Sequence, residues 1–257
     1  MTNPYLVSAL TAAVFMLFMY IAAQIKKDNS IVDIGWGIGF ILITLSLIIT
    51  SDNFDSGTQI FFSMILLWGL RLTLHIFLRA KGRGEDFRYA EWRKNWGNKA
   101  AWIAFYKVFM LQGFLMVLIA MPILIYFDKR GAENMSLKIA GVSVFVFGFL
   151  FEALGDLQLT NFKKNPSNRG RIITSGLWKI TRHPNYFGEA ALWWGIGIYS
   201  FAFTNSVFVF AGPLLLNVLL LKVSGIPLLE KKYEGTPDWE NYKKITPAFI
   251  PWIGKKG

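Results

Sequence analysis

Seven apolar runs, each about twenty residues long, leave this chain few ways to fold. They lie near 5–25, 31–50, 58–78, 100–127, 137–160, 186–204 and 206–229, and the last two are separated by little more than Thr204-Asn205-Ser206. A run of roughly 20 apolar residues in helical form matches the hydrocarbon thickness of a bilayer. Inside that hydrocarbon every backbone N–H and C=O needs an internal partner, which a helix supplies and an open strand does not. The expectation is an all-α polytopic membrane protein with seven transmembrane helices, the last two forming a tight hairpin. No linker is long enough to separate soluble domains, so residues 1–257 read as a single integral membrane domain. A hydrophobic share of 54% and a mean hydropathy of +0.40 agree with that class.

The residue inventory excludes several chemistries. With no cysteine, neither disulfides nor thiolate catalysis nor a thiolate metal site is open to the chain. With two histidines, His75 and His183, a histidine-rich metal centre is not expected. The first run lacks a basic leader and a small-residue cleavage site, so it reads as a membrane anchor rather than a signal peptide. A net charge of +11 is spread over loops that flank apolar runs instead of forming one soluble basic face, which argues against nucleic acid as a partner.

The loops give an orientation. Lys26 and Lys27 follow the first run, Asp52 and Asp55 the second, and Arg79, Lys81, Arg83, Arg88, Arg93, Lys94 and Lys99 the third. The fourth loop mixes Asp128, Lys129, Arg130 and Glu133, whereas the fifth carries Lys163, Lys164, Arg169, Arg171, Lys179 and Arg182 without an acid. Basic loops therefore alternate with neutral or acidic ones, which places the N-terminus outside and the Lys-rich C-terminus in the cytoplasm. The same basic side suits an anionic ligand or anionic membrane lipids.

Polar residues inside such runs are costly and mark sites or ion pairs. The stretch Ser175-Gly-Leu-Trp-Lys-Ile-Thr-Arg-His-Pro-Asn-Tyr-Phe-Gly-Glu189 leads from the cationic loop into the sixth run. Pro184 fits the first turn of a helix, on which Asn185 and Glu189 share a face, with Arg182, His183 and Tyr186 beside them. This stretch reads as the mouth of a ligand site, the alternative being that Glu189 merely pairs with a cation. Glu152 and Asp156 occupy one face at the end of the fifth run. Lacking histidine neighbours, they suit binding of hydroxyls, amides or a ribose, or else pairing with Arg71 or Arg182.

Arg71, two turns inside the third run, points to an acid or a phosphate. Lys81-Gly82-Arg83-Gly84 can offer cations and backbone N–H groups to phosphate oxygens. Ser30 is placed to cap the second helix, with Asp33 in its first turn. The glycines at 35, 37 and 39 allow close approach of either a helix or a flat ligand. The tail from Leu228, with Tyr233, Trp239 and Tyr242, reads as a short amphipathic helix and a Pro-broken extension that lies at the interface or covers a cofactor.

Gly176-Leu-Trp, Arg182-His-Pro-Asn-Tyr-Phe-Gly-Glu189 and the Tyr233–Trp239–Tyr242–Pro247–Pro251 tail together resemble the C-terminal part of the steroid 5-alpha-reductase family. The resemblance covers roughly residues 150–253 well, with about 137–257 as the cofactor-binding part. Val32-Asp33-Ile-Gly-Trp36-Gly looks like an uncharacterised bacterial branch, which implies a multi-pass protein of a bacterial inner membrane. The resemblance implies an NADPH-dependent reductase of an enone-type carbon–carbon double bond in a lipophilic, steroid- or isoprenoid-like substrate. It implies that Asn185 and Glu189 contact the nicotinamide half, Glu152 and Asp156 the nucleotide, and Arg169, Arg171, Lys81 and Arg83 the phosphates. Glu152 stands where the family has Asn.

The family's acid of the second span and tyrosine of the third find no obvious match. Hydride addition leaves charge on the substrate carbonyl, so a donor is needed there. A protonated Asp33, helped by the indole N–H of Trp36 or Trp68, is the candidate. The rival reading is an S-adenosylmethionine-dependent membrane methyltransferase of the isoprenylcysteine or phospholipid type, whose members also carry an Arg-His-Pro-x-Tyr-x-Gly segment. Six cations without an acid in the fifth loop favour a polyanionic dinucleotide over a sulfonium.

Overall fold

The computed structural model describes residues 3–231 and 233–251. Among them there is no strand. Helices α1 (Pro4–Lys26), α2 (Ile31–Ser51) and α3 (Ser56–Ala80) match the first three apolar runs within two residues. The fourth run differs. Its helix α4 (Phe87–Ile119) starts well before the apolar stretch, and after a break at Ala120 the chain resumes as α5 (Met121–Lys129). Pro122, in the first turn of α5, explains the break, since it has no N–H to continue the preceding ladder. Helix α4 itself contains a π-helical stretch at Phe105–Met110.

Helix α6 spans Met135–Lys164, α7 Pro184–Thr204, α8 Val207–Glu230 and α9 Pro237–Ile245. Six of these helices (α1, α2, α3, α4, α6 and α8) are long and apolar enough to cross a membrane, so the chain is an integral membrane protein. The expected span at 186–204 does form a helix, α7, yet it does not meet that measure. Asn185, Glu189 and three glycines dilute its hydropathy. Its apolar residues Leu192, Trp193, Ile196 and Tyr199 are buried against protein, so lipid is not what they answer to.

The described chain clusters into two compact units, Met1–Ala132 with Phe203–Val209 and Glu133–Ala202 with Phe210–Gly257. In the first, α2 packs on α3 and α1 on α2. A Cβ at Gly37 would sit 2.2 Å from the carbonyl oxygen of Gly69, so the two backbones touch there. Gly35 faces Met19 and Phe15, and Gly39 faces Met116 and Phe15. Helix packing thus accounts for the 35–37–39 glycines. The outer face of α1 stays apolar and exposed at Leu10, Val14, Phe18 and Ile25, as lipid contact requires. Ser30 does not cap α2: its hydroxyl donates to Asp28 Oδ1 at 2.6 Å and accepts from the Asp86 N–H.

At the start of α3 a true cap occurs. Asp55 accepts from the Thr58 N–H at 2.9 Å and is forked by Arg130, whose guanidinium lies over the rings of Tyr126 and Phe203. Hydrogen bonds from Arg130 hold the Asp55 carboxyl down at about 2. A folded-state value below the unfolded one means the pair stabilises fully above about pH 4 and loses its contribution as pH falls toward 2. Because the Asp55 side chain is 49% exposed, Asp55→Asn should cost about 1 kcal/mol or less, a loss that shrinks in high salt. Thermal unfolding of the two proteins at pH 7 and pH 3 checks this: the difference should narrow at the lower pH.

In the second unit α6 and α7 run antiparallel along a seam of small residues. Gly141, Gly148 and Gly155 recur every seventh residue on α6, as do Gly188, Gly195 and Ala202 on α7. A Cβ at Gly148 would lie 2.3 Å from the Leu192 nitrogen, one at Gly188 2.3 Å from the Glu152 nitrogen, and one at Gly195 2.4 Å from the Phe145 nitrogen. Between helices in lipid, where apolar burial gives little advantage, such backbone contact is a main source of attraction.

Candidate functional site

The seam fixes which polar residues meet. Gly155 of α6 comes against Pro184 and Asn185 at the start of α7, and the Asn185 amide donates to Asp156 Oδ1 at 3.1 Å. Glu152 lies one turn back on α6, with 2% exposure against 6% for Asp156. The structure therefore joins Asn185 to Asp156, with Glu152 one turn along the same face of α6. Glu189 is half-buried one turn further along α7. Arg169 and Arg171 lie exposed in the loop between the two helices.

Arg182 and His183 have another setting. Both are buried, and both reach Glu230 at the end of α8. Arg182 Nε donates to Glu230 Oε1 at 2.9 Å, and the same oxygen lies 3.0 Å from His183 Nε2. The His183 ring stacks on Tyr186, centroids 5.6 Å apart and planes 9° from parallel. The tail closes over this point. The Arg182 N–H donates to the Pro247 carbonyl at 2.9 Å, and the Thr181 hydroxyl to the Phe249 carbonyl at 2.8 Å. Tyr242, buried on α9, donates to the Trp178 carbonyl, and burial pushes its hydroxyl pKa up. Trp178 in turn donates its indole N–H to the Gly155 carbonyl at 3.1 Å. Tyr233 packs near Trp239, ring centroids 5.4 Å apart.

The remaining candidates belong to the first unit. Asp33 Oδ1 accepts from the Tyr89 hydroxyl at 2.7 Å, and Oδ2 accepts from Arg88 at 3.2 Å. Gln112 donates to the Tyr89 oxygen at 3.2 Å, so this hydroxyl is held between an amide and a carboxylate. Arg88 also binds Asp86 at 2.9 Å. Burial works to raise the Asp86 carboxyl, but the hydrogen bonds from Arg88 outweigh it and leave its pKa lowered. Asp33 is thus an acceptor facing a guanidinium and a hydroxyl. Trp36 and Trp68 flank Phe40 edge-on, at 5.6 and 5.4 Å. Arg71 is half-buried on α3, and Lys81 and Arg83 are exposed after its end.

Sequence reasoning missed Glu230 and Tyr89. Glu230 had a signal, as the acid that directly follows the seventh apolar run. Tyr89 had none, since nothing in the spacing ties it to Asp33, 56 residues earlier. No group of three or more His, Cys, Asp or Glu side chains suited to a metal ion occurs among the described residues.

Fold and site together define a helical integral membrane protein with two buried acids, one of them bonded to an amide, in its second unit. By the match of a family model over residues 19–246, the chain belongs to the family described as "Protein of unknown function (DUF1295)". It is also similar to a probable O-methyltransferase, ustE, of Ustilaginoidea virens, 37% identical over 61 residues. That match spans 23% of this chain and 22% of the relative. No solved structure matches.

Proposed function

We propose that this protein is an NADPH-dependent membrane reductase of an enone-type double bond in a lipophilic substrate, with seven spans, α7 included, and a cytoplasmic C-terminus. One observation carries the reading: Asn185 of α7 hydrogen-bonded to Asp156 of α6, with Glu152 buried beside them, next to a loop that exposes Arg169 and Arg171. The donor set fits a dinucleotide. Carboxylates accept from ribose hydroxyls and the carboxamide N–H, an asparagine serves either sense, and arginine forks suit phosphate. The resemblance of the Asn-Tyr-Phe-Gly-Glu run to the steroid 5-alpha-reductase family supports the same assignment.

NADPH, when bound, supplies the hydride. The chain's part is to hold the cofactor, exclude water and place a donor where charge grows on the substrate carbonyl. Tyr89 gives its one hydroxyl hydrogen to Asp33 and accepts from Gln112, so it holds the Asp33 carboxyl in place and is not that donor.

A second reading rests on the stretch of identity with the O-methyltransferase: an S-adenosylmethionine-dependent methyltransferase. Equilibrium binding of both cofactors to detergent-purified protein decides between them. On the reductase reading NADPH binds and S-adenosylmethionine does not. Asp156→Ala and Arg171→Ala should each weaken NADPH by about tenfold or more, as loss of a charged hydrogen bond does. Binding of S-adenosylmethionine alone would sink the proposal.

A further inference from the structure

We infer that Glu230 is a positioning residue: it holds Arg182 and His183, the two residues just before α7, in a loop that also bonds to the C-terminal strap at 237–251, and so sets the angle at which Asn185 is presented. The inference rests on the reductase reading for its consequence and on geometry alone for the clamp. Arg182 is 7% exposed and its guanidinium is spent. Nε and one Nη2 hydrogen go to the two Glu230 oxygens at 2.9 and 3.3 Å, and Nη1 goes to the Lys243 and Thr246 carbonyls. One hydrogen remains, too few to fork a ligand phosphate. His183 uses Nε2 on the same carboxylate. The side chains of Arg182 and His183 are therefore turned toward the protein's own Glu230, and that of Arg182 toward its tail as well.

Local backbone puts Glu230 there. Helix α8 loosens into a π-helical stretch at Leu219–Val223 and then bends at Ser224-Gly225. A Cβ at Gly225 would lie 2.3 Å from the Leu220 carbonyl oxygen, so only glycine permits the bend without displacement. Beyond it, Ile226–Glu230 forms one more helical turn that carries the carboxylate to Arg182. The strap holds the same loop from its other side, through Pro247, Phe249 and Tyr242. With Arg182 fixed at both its backbone and its side chain, Pro184 and Asn185 follow directly.

Hydrogen exchange and NADPH binding on the full chain in detergent test this together. Glu230→Gln keeps the shape and removes the charge. It should speed exchange of the Arg182 and α9 amides by about tenfold or more, by lowering the cost of local opening. It should also raise the NADPH Kd about tenfold while kcat at saturating cofactor stays within about twofold, a split that separates binding from chemistry. Should Glu230→Gln prove too unstable to purify, Tyr242→Phe releases the strap from Trp178 alone and should give a smaller change of the same pattern. Unchanged exchange overturns the clamp, and faster exchange with unaltered NADPH affinity overturns the positioning role. If the wild type binds no NADPH, the reductase reading falls, and the exchange result alone then upholds or overturns the clamp.

Discussion

Gly148→Leu should destabilise the protein by roughly 3 kcal/mol or more, the upper end of what overpacking costs. At this position the obstacle is the backbone nitrogen of Leu192, 2.3 Å from where a Cβ would sit, with the Gly188 carbonyl oxygen at 2.7 Å. Neither can rotate aside as a side chain would, so α6 and α7 must part. Parting them removes the contact between Gly155 and Asn185 and with it the Asn185–Asp156 hydrogen bond. NADPH affinity should fall with stability, although residue 148 carries no polar atom. Gly84→Ala is the control. Nothing lies within 4 Å of its added carbon, and the change should stay within about 0.5 kcal/mol. Thermal unfolding in detergent measures both, and a Gly148→Leu protein as stable as the control would show that the helices do not touch.

Tyr89→Phe should destabilise the protein by about 1–3 kcal/mol, the cost of leaving a half-buried carboxylate and a half-buried amide each short of a partner. The substitution leaves the ring, 4% exposed, in its packing against Trp92, so the main loss is the hydroxyl between Gln112 and Asp33. Asp33→Asn keeps an acceptor for that hydroxyl but leaves Arg88 with one carboxylate fewer, and should cost less than Tyr89→Phe does. Thermal unfolding in detergent measures both, and a Tyr89→Phe protein as stable as the wild type would show that the hydroxyl does not pin α2 to α4.

The parts of this molecule that could be read from sequence are those with a local period. Apolar length gave α1, α2, α3, α6 and the helical nature of α7, and the fourfold spacings gave the shared faces of Glu152 with Asp156 and Asn185 with Glu189. Asn185 and Asp156 meet because those faces are pressed together by glycines whose sevenfold spacing is also in the sequence. What could not be read depends on pairing at a distance. Glu230 finds Arg182 across 48 residues, by way of a π-helical stretch and a glycine bend that no hydropathy pattern announces. Ser30 looked like a cap on local grounds and lost that role to Asp28 and Asp86, whose groups compete for its hydroxyl. In α7 the apolar run gave the helix, while the burial of Leu192, Trp193, Ile196 and Tyr199 against protein explains why it can carry Asn, Glu and glycine.

The glycine seam between α6 and α7 also bears on traffic. Two helices whose main chains touch along four turns leave no doorway for an oily guest to slip through sideways. Any route from the bilayer into this protein must open at some other pair of helices, where bulkier side chains can swing out of the way.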